Sequence, residues 1–199
     1  MTELVIASTN PGKIQEIDAL LHHLPITLIN PKKLGLILEI SEENDSYLNN
    51  ARRKAQAYVE RTGCWTLADD TGLEVDVLDG APGLQSARLA GPGRSDFDRR
   101  ILLLSLLHSH PRPWLARFRC AMVLAGSAGS IDSAEGICEG EIIPQERGDH
   151  GFGYDPIFLL AGVNKTMAEL TLEEKNHLSH RARAIQAILP VLKERLGFP

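Results

Sequence analysis

Cysteine is scarce: Cys64, Cys120 and Cys138 are the three in 199 residues, an odd number with no CxxC spacing. That excludes a secreted disulfide framework and a zinc knuckle, and makes a reducing cytosol the expected compartment. Positive charge is not in excess either. The formal net charge is -5, so no overall field draws the chain to nucleic acid or to an anionic membrane surface. Any anionic ligand must be held by local groups. Long hydrophobic runs are also missing: Ile101 to Leu107 is interrupted by Ser105 and is far too short to span a bilayer. The opening Met1-Thr2-Glu3 carries no basic region, so neither export nor a membrane role is expected. No repeat or low-complexity tract breaks the sequence.

What is present is ordinary for a soluble globular protein, with 24% charged and 43% hydrophobic residues. One domain spanning 1–199 is expected, and a chain of this length buries roughly 70% of its unfolded surface without staples.

Leu4 to Ala7 reads as a buried strand and Gly12 to Leu24 as a helix, with Ile14, Ile17, Leu20, Leu21 and Leu24 on one face. A second helix starts at Asp45 or Ser46 and runs through Leu48, Ala51, Ala55 and Tyr58 to a stop at Gly63. A strand at Trp65 to Ala68 ends in Asp69-Asp70-Thr71-Gly72, and Leu73 to Leu78 is a further strand. The Gly- and Pro-rich stretch Ala81 to Arg94 reads as loop. Ser95 and Asp98 form a capping box that opens a helix with Phe97, Ile101, Leu104 and Leu107 inward. Trp114, Ala116, Phe118, Cys120, Met122 and Leu124 have the period of a long strand with one apolar face, which puts Cys120 in the core. Strands around Gly136 to Ile143 and Pro156 to Leu160 follow, then a last helix from Ser179. The class is α/β.

Several clusters could carry chemistry. Ser8-Thr9-Asn10-Pro11-Gly12-Lys13 joins a strand to a helix, where unpaired N–H groups and the dipole favour an anion. It is not a P-loop, because Ala7 and Ile14 stand where Gly and Ser or Thr are needed. A helix capped by Thr9 or Asn10, with Lys13 in solvent, is the plain alternative. Asp69 and Asp70 at a strand's C-terminal end could hold a hard divalent cation, or could only close an Asx turn. Gly151-Phe152-Gly153-Tyr154-Asp155-Pro156 sets rings among glycines, as for stacking on a planar base, unless Phe152 is simply buried in a tight turn. Lys175 precedes Ser179-His180-Arg181, whose cations oppose a helix dipole unless an anion or a carbonyl meets them.

These motifs occur together, with Asn50-Ala51-x-x-Lys54-Ala55 and Pro82-Gly83-x-x-Ser86-Ala87-Arg88 between them, from about residue 4 to about residue 192. In that order they resemble the inosine triphosphatase family, the house-cleaning pyrophosphatases of deaminated purine nucleotides. The resemblance implies an elongated mixed β-sheet flanked by helices, two lobes with the nucleotide cleft between them, and a homodimer. It implies Mg²⁺-dependent hydrolysis of ITP, dITP or XTP to the monophosphate and pyrophosphate. By the same resemblance Ser8, Thr9, Asn10, Pro11, Gly12, Lys13, Lys54 and Lys175 are triphosphate contacts. Glu42 and Asp70 are metal ligands, and Asp70 is also the base that activates water. Thr71 keeps the hydroxyl of a family Ser, and Phe152, Gly153, Tyr154, Asp155, His180 and Arg181 form the base pocket. Asn49 and Asn44 replace the usual Glu and Gly of the family. Two other readings are a pyrophosphatase for other modified nucleotides, whose loop usually carries Pro-Arg-Arg where this chain has Pro11-Gly12-Lys13, and a non-hydrolysing nucleotide sensor, which has no use for a water-activating carboxylate.

Overall fold

The computed structural model describes residues 2–38, 40 and 45–198. Their strands are β1 (Thr2–Ile6), β2 (Ile26–Ile29), β3 (Trp65–Val75), β4 (Pro82–Gly83), β5 (Trp114–Ala125), β6 (Ile131–Ile142) and β7 (Phe158–Leu160). The helices are α1 (Pro11–Leu21), α2 (Tyr47–Thr62), α3 (Asp96–Leu107), α4 (Leu172–Leu178) and α5 (His180–Leu196). The strands form one sheet in the order β2-β1-β3-β5-β6-β7, with β4 on β3. β1 runs parallel to both β2 and β3, whereas β4 is antiparallel to β3 and β7 to β6, so the sheet of this α/β protein is mixed.

The chain makes two compact units, which it visits alternately. The first contains residues 1–70, 120–136 and 181–199. Its strands are apolar on both faces because helices cover both. Leu4, Ile6, Leu67, Met122 and Leu124 pack with Ile17 and Leu21 of α1 and Ile185, Ile188 and Leu192 of α5. The alternate residues Val5, Ala7, Ala68 and Val123 meet Ala51, Ala55 and Tyr58 of α2. Asn10 caps α1 by accepting from the N–H groups of Gly12 and Lys13, and Ser46 caps α2 by accepting from that of Asn49. Gly63 then ends α2 in the left-handed conformation that a glycine takes without strain.

The second unit contains residues 71–119 and 137–180. Leu73, Val75, Leu103, Leu107, Trp114, Phe118, Ile142, Tyr154 and Phe158 are among its buried core.

Several boundaries differ from the sequence reading. Asp69 to Gly72 lie inside one continuous β3 and not in a turn after a short strand, which sets aside the Asx turn. In α3 the buried residues are Leu103 and Leu107, while Phe97 and Ile101 are 57% and 50% exposed. From Ile101 to Leu107 that helix is apolar nearly all round, so its sequence period did not fix its phase. The segment before Ser179 is itself helical: α4 starts at a Thr171–Glu174 capping box, and an extended Ser179 separates it from α5. α1 ends at Leu21, short of Leu24, and β6 begins at Ile131, ahead of Gly136. No helix among the described residues is long and apolar enough to cross a membrane.

Candidate active site

In a strand consecutive side chains point to opposite faces, and β3 uses this to part its two aspartates. Asp69 shares the face of Leu67, toward α1 and α5, and Asp70 shares the face of Ala68, toward α2. Each meets a lysine from its own side. Lys13 Nζ lies 2.9 Å from Asp69 Oδ2, and Lys54 Nζ lies 3.1 Å from Asp70 Oδ1. Lys13 reaches the strand because Asn10 fixes the start of α1, and Ser8 Oγ in turn accepts from the Asn10 N–H at 3.2 Å. Of the remaining loop residues, Thr9 and Pro11 are exposed and Gly12 is half-buried.

Asp69 is fully enclosed. Arg181, at the start of α5 and also fully buried, donates to Asp69 Oδ2 through Nε at 3.3 Å and a terminal nitrogen at 3.0 Å, and its other nitrogen binds Glu16 of α1. Burial alone would push the Asp69 carboxyl up, but Lys13 and Arg181 outweigh it and hold Asp69 well below the usual carboxylate range. Asp69 and Glu16 likewise raise the Arg181 guanidinium above its ordinary value against the opposing effect of burial. The anion that the cation at the head of α5 called for is therefore a pair of carboxylates of the same chain.

Asp70 is held differently. Asn50 of α2, itself buried, donates from its amide to Asp70 Oδ2 at 2.8 Å, and its carbonyl accepts from Arg53 at 2.7 Å. With Lys54 on Oδ1, both carboxylate oxygens are oriented by one face of α2. Asn49 bonds back to Asp45 at 2.9 Å. Glu42, the other expected metal ligand, and Asn44 lie outside the described residues. Among the described residues no group of three or more His, Cys, Asp or Glu side chains could hold a metal.

The second unit gathers the remaining expected residues. Lys175 of α4, which the resemblance grouped with the triphosphate, has its Nζ 2.5 Å from Asp155 Oδ2 and 4.9 Å from the centre of the Phe152 ring. The same Asp155 oxygen accepts from the Phe152 N–H at 2.9 Å. Gly151 is required beneath them: its φ is +75°, and a Cβ there would come within 2.1 Å of Asp155 Oδ2. Tyr154 is buried and donates from its hydroxyl to the Ser86 carbonyl at 2.8 Å. His180 is buried and stacks on Phe118 with ring centres 4.7 Å apart. Thr71 follows Asp70 in β3 and is half-buried.

The sequence reading missed Glu16 and the part of Asn50. Glu16 stands three residues after Lys13 and so shares its helix face, a spacing that could have flagged it. Asn50 is buried on the α2 face where Ala51 and Ala55 face the sheet, and a polar side chain there needs a partner.

The site thus stands on a mixed sheet whose strand β3 carries two carboxylates, each paired with a lysine from a different helix. The Ham1 family profile matches residues 4–191. A dITP/XTP pyrophosphatase of Desulforamulus reducens is 42% identical over 191 residues, covering 96% of this chain and 95% of its own. Another of that name, from Geobacter sulfurreducens, is 43% identical over 199 residues and covers 100% and 98%. The solved structure of a HAM1 protein from Coxiella burnetii is similar at a TM-score of 0.87 and 36% identity, covering 98% of this chain and 100% of that one. The chain belongs to the Ham1 family.

Proposed function

We propose that this chain hydrolyses the deaminated purine nucleoside triphosphates ITP, dITP and XTP to the monophosphate and pyrophosphate, keeping them out of DNA and RNA. Its relatives' name, dITP/XTP pyrophosphatase, supports the reaction. The observation that carries it in the structure is the aspartate pair of β3 with Lys13 and Lys54 upon it.

Lys13 and Lys54 donate to the phosphate oxygens, each a charge-assisted bond. Asp70, oriented by Asn50, accepts a proton from the attacking water. The water oxygen bonds to the α-phosphorus as the bond to the bridging oxygen breaks, and pyrophosphate departs. Asp69, held negative against burial by Lys13 and Arg181, keeps Lys13 in place.

The centre's own charge is balanced: Lys13, Lys54 and Arg181 face Asp69, Asp70 and Glu16. A triphosphate adds only negative charge, and Mg²⁺ fits that need. Asp70 Oδ1 accepts from Lys54 and Oδ2 from Asn50, while a carboxylate has room for about four donors or ligands. Mg²⁺ commonly takes one or two carboxylates together with substrate phosphates, so an all-protein cage is not required. We assign its holding to Asp70 and Glu42, and when bound it supplies charge neutralisation at the phosphates.

The base is assigned to the loop of Phe152, Gly153, Tyr154 and Asp155 with His180 and Arg181, where Phe152 stacks on any purine, and Lys175 to the triphosphate. Hypoxanthine and xanthine present an acceptor at O6 and a donor at N1, and adenine reverses both. Buried groups set for the first pattern lose roughly 1–3 kcal/mol for each one that adenine leaves unpaired. The reading extends to one functional domain over 1–199, to a cytosolic site, in keeping with three cysteines that form no disulfide, and by resemblance to a homodimer. Hydrolysis of ITP in ¹⁸O water tests the chemistry. Label is expected in the monophosphate, and label in orthophosphate refutes it.

A further inference from the structure

The loop proposed to take the base is anchored from outside itself. Gly153, whose φ is +63°, is gripped at both of its backbone polar groups by α3. Its N–H donates to Asp96 Oδ2 at 2.7 Å, and its carbonyl accepts from Arg100 at 2.9 Å. Asp96 and Arg100 are four residues apart and so share one helix face. Neither is loosely held. Asp96 also pairs with Arg99, and Arg100 makes a two-point contact with Glu146, at 2.8 and 3.1 Å. α3 itself is fixed at its start by the Ser95–Asp98 capping box and along its length by buried Leu103 and Leu107. Burial opposes the charge of Asp96, yet the Gly153 N–H and Arg99 hold its carboxyl below the ordinary value.

We propose that Asp96 and Arg100 are positioning residues for base selection, fixing the Gly153 backbone and through it the Phe152 ring and the Asp155 carboxylate on either side. This rests on the reading that the 151–155 loop takes the base. The loop contains two glycines at positive φ, Gly151 and Gly153, and such backbone is costly to order without outside partners. The internal bonds, from the Phe152 N–H to Asp155 and from the Asp155 N–H to the Phe152 carbonyl at 3.2 Å, leave the polar groups of Gly153 to α3. Tyr154 on Ser86 pins the next residue. A ring that must stack and an acceptor that must meet one edge of a purine are thus set by two charged side chains that the base does not touch.

Two readouts on the full-length chain test this. Hydrogen exchange of the loop in the free protein reports its order, and kcat and KM for ITP and ATP report selection. Asp96→Ala and Arg100→Ala each remove one charge-assisted bond, so exchange accelerates, the KM for ITP rises on the order of ten-fold and kcat changes by less than about three-fold. The preference for ITP over ATP in kcat/KM shrinks with it. Asp96→Asn, which keeps an acceptor for the Gly153 N–H, recovers most of the KM. Where an alanine variant does not fold, Asp96→Asn and Arg100→Lys carry the test, with Arg100→Lys expected between wild type and alanine in both readouts. Faster exchange with KM and base preference unchanged overturns the proposal, as does unchanged exchange. A wild type without preference for ITP, or Phe152→Ala with an unaltered KM, instead refutes the assignment of the loop to the base, and the brace then has no part in selection.

Discussion

Replacing Arg181 by leucine tests how the site is held together. The guanidinium is fully buried, pairs with Glu16 and binds Asp69 at 3.0 Å. The substitution leaves two enclosed carboxylates, of which Asp69 keeps Lys13 at 2.9 Å. Breaking a buried pair in this way costs roughly 3–5 kcal/mol, because an uncompensated charge stays inside. Against a total stability of about 5–15 kcal/mol this is a large fraction. For a chain of this size it corresponds to a fall in Tm on the order of 10 °C. The pH dependence follows from the depressed Asp69 carboxyl. In the wild type its contribution is present above the unfolded value near pH 4 and is lost as the pH falls through the lower folded value. Without Arg181 burial has less to oppose it, the folded carboxyl titrates higher, and acid relieves the orphaned charge. Urea unfolding at about pH 7.5 and about pH 3, on either side of the unfolded carboxyl's value, should therefore show a large deficit at the first and a smaller one at the second. A deficit below about 1 kcal/mol, or one equal at both pH values, refutes the reasoning.

Asp70→Asn keeps the fold by circular dichroism and loses on the order of 10²- to 10⁴-fold in kcat, more if a metal ligand goes with the base. Lys13→Ala and Lys54→Ala each cost on the order of ten- to a hundred-fold in kcat/KM for ITP, and excess EDTA abolishes turnover; full activity in EDTA removes the Mg²⁺ assignment. Gly151→Ala forces its Cβ onto Asp155, so the KM for ITP rises more than kcat falls in steady-state assays.

Much of this was legible from order and spacing. The capped start of α1, the Gly63 stop of α2 and the burial of Cys120 follow from local patterns, and the motifs in sequence order pointed to the family. Asp69 and Asp70 misled because charged pairs usually end a strand. Here cations from α1, α2 and α5 compensate them, and a strand interior tolerates them. No local rule could foresee that Arg181 binds Asp69, 112 residues away along the chain. The phase of α3 was hidden for a different reason, since Ile101 to Leu107 offers apolar residues to every side and the capping box fixes only where the helix begins. With the phase goes the loop contact of Asp96 and Arg100, which became visible only once Gly153 was folded against them.

The central claim is most directly tested by kcat/KM for ITP and for ATP measured side by side with Mg²⁺. ITP should be preferred by at least roughly a hundred-fold, the sum of two or more mismatched buried groups at about 1–3 kcal/mol each. Comparable values for the two nucleotides contradict the account, whatever the variants of Asp70 and the lysines show.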